Sequence, residues 1–62
     1  MKSIKQILIE RDGLSEEEAD DMLAEAKIEA NNYFAQVPGA RNPEEILYED
    51  FGLEPDYVFE LI

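Results

Sequence analysis

Between Gly13 and Pro38 the chain contains neither glycine nor proline. That interval opens with Ser15-Glu16-Glu17-Glu18, the pattern of a capping box. In such a box the serine hydroxyl accepts from the N3 backbone N–H, and the N3 carboxylate reaches back. The three carboxylates also stand where a helix dipole favours negative charge. Leu14 just before the cap has the spacing to staple onto Ala19. Ala19, Met22, Leu23, Ala26, Ala30, Tyr33, Phe34 and Val37 follow at steps of three and four, an arc of roughly 120° on a helical wheel. The pattern predicts one long helix over about residues 15–36. Everything else in a 62-residue chain must pack around it.

Shorter helices flank it. Ser3 caps a helix over about residues 4–12, with Gln6 at N3 and with Ile4, Ile7 and Leu8 on one face. Gly13 suits the left-handed position that closes many helices. Val37-Pro38-Gly39-Ala40 reads as a type II turn, with Pro at i+1 and Gly at i+2. Asn42, Pro43 and Glu45 mark the start of a third helix that carries Ile46, Leu47, Tyr48 and Phe51 and stops at Gly52. A fourth begins with Pro55 at N1 and carries Tyr57, Val58, Phe59, Leu61 and Ile62. The predicted fold is all-α, a small bundle of three to four helices in a single domain over residues 1–62. Residues 7–14 and 46–53 match at five of eight positions, both ending in Gly-Leu. They predict two corners of similar geometry.

The charge is −11, from sixteen carboxylates and five cations. Residues 1–11 carry a net +2 and residues 12–62 a net −13. Phosphate binding needs Lys and Arg to displace counterions, so the sequence argues against direct nucleic-acid binding and against anionic membrane surfaces. No apolar run approaches the ~20 residues that cross a bilayer. The N-terminal apolar stretch is too broken for a secretory signal. These features make a cytoplasmic location the expectation. A basic protein partner fits the charge. A solvated surface that keeps the chain soluble fits it equally.

The chain has no Cys and no His, which removes thiolate and imidazole chemistry, and its two serines serve as caps. Glu16, Glu17, Glu18, Asp20 and Asp21 crowd one helix start. Successive helical residues point ~100° apart, so few of them can share an ion. The expectation is a non-enzymatic chain without metal or cofactor.

Three local likenesses bear on function. Asp21-Met22-Leu23 lies near a helix start as the Asp-Ser-Leu of acyl carrier proteins does, without their attachment serine. Gly13-Leu14-Ser15-Glu16-Glu17-Glu18-Ala19 resembles the loop and second-helix start of ubiquitin-associated domains, with Gly-Leu in place of their Gly-Phe or Gly-Tyr. The same stretch, together with Phe51-Gly52-Leu53-Glu54-Pro55-Asp56-Tyr57-Val58-Phe59-Glu60-Leu61, resembles small acidic helical proteins of unknown function from bacteria, phages and prophages. That last resemblance implies no functional residues.

The expected role is a protein-interaction module with an acidic helical surface. The alternatives are a self-associating unit whose homodimer completes the core, and an acidic imitator of nucleic-acid phosphates that blocks a nucleic-acid-binding protein. Two places are candidate sites. The row Ala24, Ile28, Ala35 lies opposite the apolar stripe, and Ile28 is there a core residue, a partner contact or an ordinary exposed side chain. The loop Gln36 to Asn42 holds Pro38, Gly39 and Arg41. It is expected to be mobile, with Arg41 free enough that Arg41→Ala changes stability by less than ~0.5 kcal/mol.

Self-repulsion of the acidic residues gives a first expected outcome. Screening acts on the net repulsion, so moderate salt stabilises the fold. The melting temperature rises between low and physiological sodium chloride, and a steady fall would contradict the charge reading.

Overall fold

The structure, a computed structural model, describes residues 2–62. It is all-α, a small bundle built around one long helix. Helix α1 spans Ile4–Asp12, α2 spans Glu16–Phe34 and α3 spans Pro43–Ile46. The chain then continues without a break into a wider π-helical turn, Leu47–Phe51, and ends in a 3-10 helix, Pro55–Glu60.

The caps sit where their chemistry places them. Ser3 Oγ accepts from Gln6 N–H at 3.1 Å. Ser15 and Glu18 form the full reciprocal box. Asn42 Oδ1 accepts from Glu44 N–H at 2.8 Å. Glu54 makes no side-chain cap bond, and the segment after it winds as a 3-10 helix rather than the expected α-helix. Its first N–H groups lack the acceptor that organises the start of α2.

The two Gly-Leu corners have one geometry. Gly13 sits at φ 70°, ψ 21° and Gly52 at φ 64°, ψ 34°. Gly13 N–H donates to Ile9 O and Leu14 N–H to Leu8 O. At the second corner Gly52 N–H donates to Tyr48 O and Leu53 N–H to Leu47 O. The bonds repeat residue for residue at the offset of the sequence match.

The core holds Ile4, Leu8, Ala19, Ala26, Ala30, Ile46, Leu47, Phe51 and Leu61. Helix α2 contributes only alanines to its fully buried seam, so the backbones of α1 and α3 can approach it closely. Met22, Leu23, Leu14, Leu53, Tyr57 and Val58 seal the edges. The chain ends meet: Ile4 N–H at the start of α1 donates to Glu60 Oε1 at 3.0 Å. This carboxylate, from the other end of the chain, satisfies one of the helix's orphan donors.

One boundary differs from expectation. The long helix stops at Phe34, with Ala35 as C-cap, and not near residue 36. Gln36 takes the left-handed conformation at φ 63°. Its N–H donates to Tyr33 O, and Val37 N–H to Asn32 O. This is a Schellman closure with Gln where Gly is usual. The next turn is as expected: Gly39 is at φ 85° and Ala40 N–H donates to Val37 O.

These positions predict opposite signs. A Cβ at Gly13 meets nothing within 4 Å, so Gly13→Ala carries only the left-handed backbone cost of about 1 kcal/mol. Gln36→Gly removes a similar strain, offset in part by greater freedom of the unfolded chain, and raises stability by up to about 1 kcal/mol. Chemical denaturation of the two variants beside the parent checks both signs.

Candidate functional site

Helix α2 carries its apolar stripe past the end of the bundle. Nineteen residues of helix are ~28 Å long, nearly the whole 33 Å longest extent of the molecule. Helix α1 has nine residues, or ~13 Å, and cannot cover that length. Tyr33, Phe34 and Val37 continue the apolar stripe read from the sequence but are exposed, Phe34 at 59%. Their rings and methyls form a groove with Gln36 and Ala40. Tyr33 and Phe34 pack edge to face, centroids 5.5 Å apart at 76°. Asn42 Nδ2 donates to Tyr33 Oη at 3.5 Å, which sets the start of α3 beside the groove.

This surface coincides with a gap in the charge pattern. Residues 30–43 contain no carboxylate, in a chain with sixteen. No other interval between carboxylates is as long. That signal was present in the sequence. It was masked because Tyr33, Phe34 and Val37 also continue the helical stripe.

Arg41 stands at the opposite extreme from a free loop residue. Its guanidinium makes a forked contact with Glu29, Nε to Oε2 at 2.5 Å and Nη2 to Oε1 at 2.9 Å. It makes a second fork with Asp50 at 3.0 and 2.8 Å, and reaches Glu49 at 3.2 Å. Its backbone N–H also donates to Glu29. One side chain thus ties the loop to α2 and to the π-helical turn, and the expectation of an idle Arg41 is corrected. Pro38 and Gly39 are exposed at the turn.

Arg41 controls the ionisation of its neighbours. Hydrogen bonds from it hold the Glu29 and Asp50 carboxyls below their ordinary values, against a smaller opposing effect of burial. The same bonds push Arg41 further up. Beside this cluster lies an open cleft of about 480 Å³ lined by Met22, Glu25, Ala26, Phe51 and the charged group itself. Carboxyls held below their usual range stay ionised at neutral pH and cannot serve there as proton donors. Among the described residues, no three acidic side chains converge as the ligands of an ion would.

The other candidate row is placed differently from the groove. Ala24 and Ile28 are exposed on α2, Ile28 at 60%, so the core reading of Ile28 is excluded. Ala35 is the C-cap residue, outside the helix proper. Ile28 lies ~140° around the helix from Tyr33 and does not join the groove. Tyr48, Phe59 and Ile62 are further exposed apolar side chains, and Leu61 between the last two is buried.

Among the described residues, no helix is long and apolar enough to cross a membrane. Comparison with protein-family models, curated proteins and solved structures finds no match to the chain.

Arg41→Ala leaves Glu29, Glu49 and Asp50 facing one another without a cation. It should cost about 1–2 kcal/mol, more than a lone surface pair, because two forks and a shared cation are lost together. The folded-state pKa values of Glu29 and Asp50 are depressed by Arg41. Their contribution is therefore present above the ordinary carboxyl values and lost as pH falls through the depressed ones. The stability gap between parent and Arg41→Ala should be full at neutral pH and close in acid. Denaturation of both proteins across that pH range reads it, and a gap that stays constant would mean Arg41 acts through packing alone.

Proposed function

We propose that the chain is a non-enzymatic protein-interaction module, and that Tyr33, Phe34, Val37 and Ala40 form its contact surface. The observation that carries this reading is the coincidence of an exposed aromatic pair with the longest carboxylate-free interval of a very acidic chain. Carboxylates elsewhere keep the surface hydrated. A contact that must shed water is depleted of charge at its centre and enriched in aromatic residues. The groove has both properties, and it sits on a helix end braced by Arg41 and by the Schellman closure at Gln36. A braced contact loses less freedom on binding than a loose loop does.

Self-association through the same surface is the second reading. The bundle buries few large side chains, and a small domain gains stability from a second copy. Imitation of nucleic-acid phosphates is the third, supported by net charge alone. It predicts binding through Glu16, Glu17, Glu18, Asp20 and Asp21 and no role for the aromatic pair.

A partner-independent test is selection of a random peptide library on the parent protein, with counter-screening on a Phe34→Ser, Val37→Ser variant. Both side chains are exposed, so the variant should be within about 1 kcal/mol of the parent in stability. Peptides that bind the parent and not the variant are the expected result. Equal binding to both, or enrichment of none, overturns the assignment of this surface.

A further inference from the structure

The tip of α2 offers two kinds of chemistry at once. The exposed rings of Tyr33 and Phe34 present π-faces, which attract cations. Glu44 and Glu45 stand exposed on the first turn of α3, which begins beside Tyr33 through the Asn42 bond. Neither forms an ion pair among the described residues. The cations nearest in sequence are Arg41, already engaged by three carboxylates, and Lys27, two turns before Phe34. The patch is thus apolar and aromatic at its centre and anionic at its rim.

We infer that the occupant is a basic segment of another protein, one that presents bulky apolar residues flanked by arginine. The inference rests on the interaction reading of the same surface. Arginine satisfies both parts of the tip: its plane stacks on an aromatic face while its N–H groups reach a carboxylate. The chain shows the same recognition internally, where Glu29 and Asp50 each grip Arg41 in a fork. A second copy fits less well. Each copy carries −11, so approach is opposed at long range. A stable dimer also needs ~800 Å² from each partner, roughly a fifth of this molecule's 4203 Å² surface, and the groove is a handful of side chains.

The test uses three short synthetic peptides: a leucine pair flanked by arginines, the same with citrulline for each arginine, and the arginine peptide with serine for each leucine. Citrulline keeps the shape and removes the charge. Each is titrated into the isotope-labelled full chain, with binding read from backbone amide shifts. The arginine–leucine peptide should shift amides of residues 31–45. The citrulline and serine peptides should bind at least about tenfold more weakly. Phe34→Ala should weaken the arginine–leucine peptide by several-fold and Ile28→Ser should not. Added salt should weaken binding, the reverse of its effect on association between two like-charged copies. Equal binding of the citrulline peptide at this surface would overturn the basic partner and leave the contact surface standing. Shifts spread over Glu16–Asp21, unaffected by Phe34→Ala, would overturn the inference, because the peptide would then be reading charge alone. A concentration-dependent mass that vanishes in Phe34→Ala would assign the surface to a second copy instead.

Discussion

The two arginines do for this chain what its three lysines cannot. Arg11 leaves the end of α1 and donates from Nη2 to Phe51 O at 2.6 Å, at the last residue of the π-helical turn. Arg41 leaves the loop and grips Glu49 and Asp50 in that same turn. Both converge on Leu47–Phe51, whose inner face supplies Leu47 and Phe51 to the core. The lysines each meet a single carboxylate: Lys2, just before α1, pairs with Glu10 on that helix, and Lys5 reaches Asp20 on α2. A planar guanidinium can bridge several acceptors at once, where an ammonium is a point charge. With sixteen carboxylates and five cations, bridging by a few multidentate groups is the economical way to hold acidic segments together.

Arg11 also links the two Gly-Leu corners. Its Nη1 is 3.9 Å from where a Cβ would stand on Gly52. The first corner therefore donates into the second. Each corner turns a left-handed glycine, sends a leucine back against the core and releases the chain in an extended residue, Ser15 or Glu54. The helices beyond the two corners differ, α2 in one case and a 3-10 helix in the other. The corner geometry is thus a property of the Gly-Leu pair and the preceding Ile-Leu. The type of the next helix is set separately, by whether the extended residue carries a side chain that can cap.

That division accounts for how much was legible in the sequence. Local chemistry was readable: the caps at Ser3, Ser15 and Asn42, the stops at Gly13 and Gly52, and the type II turn at Pro38-Gly39. Tertiary facts were not. Arg41 meets Glu29 twelve residues away and Asp50 nine residues away, and nothing in the spacing distinguishes it from a free loop arginine. The end of α2 depends on Gln36 accepting a conformation that it disfavours, against the pull of a stripe running on to Val37. Periodicity reveals which face of a helix is apolar. It does not reveal how far along that face a neighbour extends.

The exposed tip arises from that last mismatch. Helix α2 is longer than either neighbour, so its apolar face outruns its cover whatever the fold does elsewhere. A chain under no further constraint could end the stripe where the cover ends, by placing Glu or Lys at positions 33, 34 and 37. It does the reverse: Tyr33, Phe34 and Val37 occupy the uncovered positions, and carboxylates disappear from residues 30–43. Exposed aromatic surface weakens solubility, and core packing does not account for these three side chains beside the Arg41-braced turn, since none of them is buried. The proposed contact surface is thus the place where the length of α2 exceeds the length of its cover.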